Sequence, residues 1–142
     1  LIKKIVLKLV KTYKTNNPFE LAEFKNISVI PWDLHDDIKG FYRYVRRNKF
    51  IFYNKNIHEG EKNFVCAHEL GHAVLHPKEN TPFMRANTLF SIDKMEVEAN
   101  TFAVELLIPD NELIEYNHLP MQDIAGIYGV PRDVAHLKKC DF

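Results

Sequence analysis

In the first fourteen positions, LIKKIVLKLVKTYK, apolar residues return with a helical period. Ile2, Ile5, Leu9 and Tyr13 share one face and the lysines lie opposite, so the pattern predicts an amphipathic helix with a solvated basic side. In the following TNNPFELAEFKNI, Asn17 is an N-cap and Pro18 a first helical residue, which predicts a second short helix to about Lys25. ISVIPW reads as a strand. GFYRYV and KFIFYN are aromatic and β-branched runs separated by RRN, the pattern of an antiparallel hairpin.

EGEKNFVCAHELGHAVLHP places Phe64, Ala67, Leu70, Gly71 and Val74 along one stripe of a helix, and Pro77 predicts its end near Leu75. KENTPFMRANTLFS has no period and reads as a loop with at most a short extended piece. Asp93 caps a predicted helix from about Lys94 to Leu107, ended by Pro109, and Asp110 is a cap for another short helix. MQDIAGIYGVPRDVAHLKK reads as two short helices joined at Gly129. No repeat or low-complexity tract interrupts the chain.

Composition narrows the class. A chain of 142 residues with 46% hydrophobic and 27% charged residues suits one globular domain, and no apolar run is long enough to span a bilayer. The expected boundaries are 1–29 for the N-terminal helices, 30–109 for the sheet and its helices, and 110–142 for the C-terminal helices, with no additional sensor domain. Lysines interrupt every apolar stretch that an export signal needs, and Cys66 and Cys140 are the two cysteines, so a reducing cytoplasm is expected. Cys66 lies two positions before His68 and reads as a small core residue.

Chemistry concentrates in HELGH, residues 68–72. Residues four apart on a helix are separated by about 6 Å along the axis and about 40° around it, so His68 and His72 project side by side. Two imidazoles so placed can share one divalent cation, with Glu69 in reach of water beside it. A shuffled chain of this composition contains the pattern in roughly a few per cent of cases, so the five residues do not decide alone. A catalytic zinc takes three protein ligands. The extended motif with a third histidine is excluded, because Leu75 and Lys78 stand where it needs glycine and histidine. His76 falls at the helix end, as a cap or as a residue supporting a ligand. On the downstream helix Glu96 and Asn100 face the same way, while Glu98 lies about 200° from Glu96. Glu96 can then serve as the third ligand and Asn100 can hold a ligand imidazole. The alternative is that Glu96 and Glu98 are solvated helix charges.

HELGHAVLH followed by EVEANTFAVELLIP resembles the ImmA/IrrE family of metallopeptidases over roughly residues 30–109. The resemblance implies an α+β fold with a zincin-like core: a small antiparallel sheet beside a helical bundle, with the H-E-x-x-H helix lining the cleft. Carried to matching positions, it implies one Zn²⁺ held by His68, His72 and Glu96, Glu69 as general base, and Asn100 in support. It also implies a protein substrate, a helix-turn-helix repressor of a phage or mobile element that the enzyme cleaves or inactivates. In the expected mechanism KFIFYN offers a sheet edge to substrate, or is a plain core strand. Tyr116 and His118 follow the ligand helix and read as structural.

Two other classes compete. A metal-binding antirepressor would sequester its partner without cutting it. Alternatively, DIAGIYGVPRDVAHLKK has helix-turn-helix spacing, with Ala125 at the helix approach, Gly129 at the turn, and Arg132, His136, Lys138 and Lys139 toward DNA. Its short second helix, Pro131 in place of a capping residue and the chain's zero net charge oppose direct nucleic-acid binding.

Overall fold

The computed structural model describes residues 1–140. Helices α1 (Ile2–Tyr13) and α2 (Pro18–Phe24) precede strands β1 (Ile27–Trp32), β2 (Gly40–Val45) and β3 (Asn48–Asn54). Helices α3 (Glu59–Leu75), α4 (Lys94–Leu107) and α5 (Met121–Ile127) follow, with 3₁₀ turns at Ala86–Phe90, Asp110–Tyr116 and Arg132–Leu137. The architecture is the expected mixture of α and β, with a three-stranded sheet. Among the described residues no helix is long and apolar enough to cross a membrane.

Local chemistry sets most boundaries where the pattern places them. The Asn17 side chain accepts from the backbone of Phe19 at 2.9 Å and of Glu20 at 3.3 Å, and Pro18 opens α2. Asp93 does the same for α4, accepting from Met95 and Glu96. The β2–β3 hairpin turns on Arg46 and Arg47, whose φ values of 51° and 68° match the primed two-residue turn that follows the sheet's twist. Asn48 belongs to β3, where it pairs with Val45.

The sheet is mixed, a correction to the antiparallel expectation. Strand order is β1-β3-β2, with β3 antiparallel to β2 and parallel to β1. The cause is the loop after β1. Asn54 donates through Nδ2 to the carbonyls of Leu34, His35 and Ile38, which anchors that loop across the end of β3 and delivers the chain to the far side for β2. KFIFYN is therefore the central strand and has no free edge. The edge beside α3 is β2, along which the next loop already lies: Met84 N–H donates to Gly40 O at 2.8 Å, and Tyr44 N–H donates to Asn80 Oδ1 at 2.8 Å.

Every residue of α3 from Phe64 to Ala73 is buried, so this helix is enclosed on all sides and is more than the one-striped helix its period suggests. It packs closely on α4 because position 71 is glycine. A Cβ there would lie 3.1 Å from Phe102 Cβ and 3.2 Å from the Ala99 carbonyl. Buried apolar residues from Val6 to Ala135 form one cluster, with Tyr42, Ile51, Leu70 and Phe102 wholly enclosed.

Three charged residues depart from expectation. Lys3 is not simply on a solvated face: its Nζ lies 2.9 Å from Asp110 Oδ2 and 3.8 Å from Glu105 Oε1. Asp110 does not cap a helix; Pro109 holds that position, and the Asp110 carboxylate faces Lys3 and Lys138 instead. Lys138 is buried and donates to Glu105 at 2.7 Å and to Asp110 at 2.5 Å.

Candidate metal centre

The enclosed part of α3 carries His68, Glu69 and His72, one ligand atom of each lying within 4.8 Å of the others. The two imidazoles meet edge to face, ring centroids 4.8 Å apart at 82°. The first turn of α4 brings Glu96 over them. Its Oε2 lies 3.2 Å from His68 Nε2 and its Oε1 lies 3.1 Å from His72 Nε2. All four side chains are buried, His68, Glu69 and His72 to 1% exposure or less and Glu96 to 7%.

Hydrogen bonds fix the orientation of His68. Asn100, one turn along from Glu96, offers Oδ1 to His68 Nδ1 at 2.8 Å and donates through Nδ2 to the Thr88 carbonyl at 3.3 Å. The Thr88 carbonyl can only accept, so it decides which end of the Asn100 amide faces His68. His68 Nδ1 must then carry a hydrogen, which makes Nε2, the atom facing Glu96, the one available to a cation.

Other atoms in the cluster lack partners. His72 Nε2 and Glu96 Oε1 are close but not aligned for a hydrogen bond. Both, together with Glu69 Oε1 and Oε2, are buried polar atoms without a hydrogen-bond partner. Leaving such atoms unpaired is costly. Two imidazole nitrogens and carboxylate oxygens converging in one buried volume are donors of the kind that hold a divalent cation, so the residues fit one.

Charge follows the same geometry. Burial pushes the Glu69 carboxyl up to about 8; His68 opposes the rise and Glu96 adds to it. Burial would also raise Glu96, but the two facing histidines outweigh it and hold that carboxyl at about 2. Burial opposes protonation of His68, yet its contacts with Glu96 and the charge of Glu69 raise it. His72 is lowered, chiefly by burial. The buried Cys66 thiol is pushed up, as suits an inert core residue.

The structure thus brings together His68, Glu69, His72, Glu96 and Asn100. His76 stands at the C-cap of α3, its N–H donating to His72 O at 2.7 Å. Its Nδ1 is 3.0 Å from His72 Nδ1 and its Nε2 is 3.0 Å from Glu98 Oε1. Glu98 is thereby corrected from a charge pointing away to a partner of this histidine. The available signal was the 68-72-76 spacing, which lines three imidazoles on one helix face. Tyr116 packs edge-on against Tyr128, in keeping with a structural role.

A sequence profile for the IrrE N-terminal-like domain of peptidase family M78 matches residues 22–138, most of the chain. The chain belongs to the M78 peptidase family. Two relatives agree. The uncharacterized immunity region protein 2 of Bacillus phage phi105 is 59% identical over 140 residues, covering 97% of this chain and 89% of the relative. Metallopeptidase ImmA of Bacillus subtilis (strain 168) is 31% identical over 141 residues, covering 96% and 83%. Membership of a metallopeptidase family implies a divalent metal, and the buried cluster on α3 and α4 is where this M78 chain has the donors for it.

Proposed function

We propose that the chain is a zinc-dependent endopeptidase that cuts, and so inactivates, a helix-turn-helix repressor of a phage or mobile element. His68, His72 and Glu96 are the ligands and Glu69 is the general base. One observation carries this reading: a carboxyl group with both oxygens unpartnered is buried beside two imidazoles that a second acid, Glu96, faces at 3.2 and 3.1 Å. Nitrogen donors with a single carboxylate favour zinc over magnesium or calcium, which prefer all-oxygen sets. The bound cation supplies Lewis acidity, polarising the scissile carbonyl and acidifying water.

Glu69 takes a proton from the attacking water as the water oxygen bonds to the carbonyl carbon. As the C–N bond breaks, Glu69 returns that proton to the leaving amine. Asn100 keeps His68 in the tautomer that leaves Nε2 free to ligate. Substrate approaches along β2, because a Cβ at Gly40 would lie 3.6 Å from Glu69 Oε2. The 80–84 segment already occupies that edge and the four site side chains are buried, so substrate displaces this segment and adds as a strand in its place. The immunity-region name of the phage relative supports a repressor as target, and a DNA-binding target would put the enzyme's work in the cytoplasm.

The test is Glu69→Gln with zinc content quantified. The variant should retain zinc and leave repressor full-length on a gel, whereas the unmodified chain cuts it. Full-length repressor with both proteins, but released from its operator, would instead establish the non-proteolytic antirepressor. The DNA-binding reading loses support from the burial of Lys138 and from the 3₁₀ geometry of Arg132–Leu137.

A further inference from the structure

We propose that Glu98 and His76 form a positioning relay that holds His72 in its metal-binding tautomer. The inference rests on the metal reading above and concerns residues that reading does not use. A carboxylate can only accept, so at 3.0 Å from Glu98 Oε1 the His76 Nε2 donates. A neutral imidazole has one hydrogen, which leaves the His76 Nδ1 lone pair facing His72 Nδ1 at 3.0 Å. His72 must supply the hydrogen for that contact. Its own Nε2 is then left bare, and this is the atom that faces Glu96 at 3.1 Å.

The opposite polarity needs hydrogens on both His76 nitrogens and places one on His72 Nε2, where a cation would have to bind. Glu98 decides between the two arrangements by accepting from the far end of the His76 ring. Ring geometry agrees, with His72 and His76 centroids 5.2 Å apart and the His76 side chain 9% exposed. Helix α4 thus holds both ligand imidazoles, His68 directly through Asn100 and His72 through His76 and Glu98, while Glu96 supplies the acid. Residues orienting metal-bound histidines typically govern affinity by 10–100-fold.

Zinc affinity measured by competition with a chromophoric chelator tests the relay. Glu98→Ala should weaken binding by at least about 10-fold. Glu98→Gln, whose amide oxygen still accepts, should stay within a few-fold of the unmodified chain. His76→Ala should lose as much as Glu98→Ala, and the double variant no more than either, because both break one chain of contacts. Nitrogen-15 spectra of the metal-free protein should show the hydrogen on Nδ1 of His72 and on Nε2 of His76. Thermal midpoints of the metal-free variants identify any that fail to fold, and the spectra of the unmodified chain need no substitution. Undiminished affinity in folded Glu98→Ala, or a hydrogen on His72 Nε2, overturns the relay. If His72→Ala loses zinc while Glu98→Ala does not, the relay alone fails; if the unmodified chain takes up no zinc, the metal reading fails with it.

Discussion

A carboxylate that no donor reaches is costly to keep ionised inside a protein, and both Glu69 oxygens are in that position. The consequence is a pH dependence that can be read without substrate. The folded metal-free chain holds the Glu69 proton up to about 8, while the unfolded chain releases it near the ordinary value of 4.5. A raised folded value gives stability that is complete below the unfolded value and lost as pH rises through the folded one. The metal-free protein should therefore weaken by a few kcal/mol between about pH 4.5 and 8. Glu69→Gln should flatten most of that slope in urea titrations and be the more stable protein at pH 8. A slope unchanged in the variant would mean that Glu69 is already ionised in the folded state. Glu96 acts in the opposite sense and lower on the scale, its contribution being lost only as pH falls from 4.5 toward 2. The side chains of HELGH were legible in the sequence because residues four apart on one helix have a fixed relation. Glu98 was not, because the period of α4 alone turns it away from Glu96. Its partner is the ring of His76, which leaves the end of α3 in a non-helical conformation.

At the scale of elements, the centre depends on how closely α3 approaches α4, and Gly71 sets that distance. In Gly71→Ala the new methyl would meet the Ala99 carbonyl at 3.2 Å, backbone that cannot swing aside, as well as the Phe102 ring. The helices must separate by a few tenths of an ångström, at a cost of about 1–3 kcal/mol. Because Glu96 rides on α4, the same variant should lose zinc affinity, and calorimetry with zinc titration reads both effects. Loss of stability with affinity intact would show that Glu96 follows α3 independently of this contact. Helix limits were legible wherever a cap or a proline fixed them, as at Asn17, Asp93 and Pro77. Strand order was not, since nothing local in KFIFYN says that β1 will pair with it in parallel. The change bears on the proposed function, because β3 is central and the edge proposed for substrate becomes β2. Asn80→Ala removes the acceptor for the Tyr44 N–H and loosens the segment lying on that edge. Repressor cleavage should then accelerate while zinc affinity stays constant; slower cleavage would mean that the segment helps to bind substrate rather than covering the site.

Across the whole molecule, Lys138 ties the C-terminal segment to α4 and to the turn that follows it by buried charges, and so is not offered to a nucleic acid. Lys138 sits among Glu105 of α4 and Asp110, with Lys3 of α1 facing the same two acids, while Arg132 pairs with Asp123 at 3.3 Å. Arg132, His136 and Lys139 are exposed, but Lys138 is withdrawn and the segment is a 3₁₀ turn instead of a regular recognition helix, and the zero net charge of the chain adds no general attraction to phosphate. Removing one partner of a buried ion pair leaves the other uncompensated, typically at 3–5 kcal/mol. In Lys138→Ala, Lys3 remains 2.9 Å from Asp110 and compensates it, while Glu105 keeps the longer 3.8 Å approach of Lys3 and the Lys139 N–H at 3.1 Å. The expected loss is therefore about 3 kcal/mol, toward the lower end of that range. Because the contacts described for the cluster are with Lys3, Glu105, Asp110 and Lys139 and not with the metal centre, the surviving folded fraction should cut repressor at the unmodified rate per zinc bound. Electrophoresis with duplex DNA at low salt should show no shift for either protein. A shift that Lys138→Ala abolishes, without loss of thermal stability, would instead place Lys138 on a nucleic-acid surface and return the helix-turn-helix reading to contention.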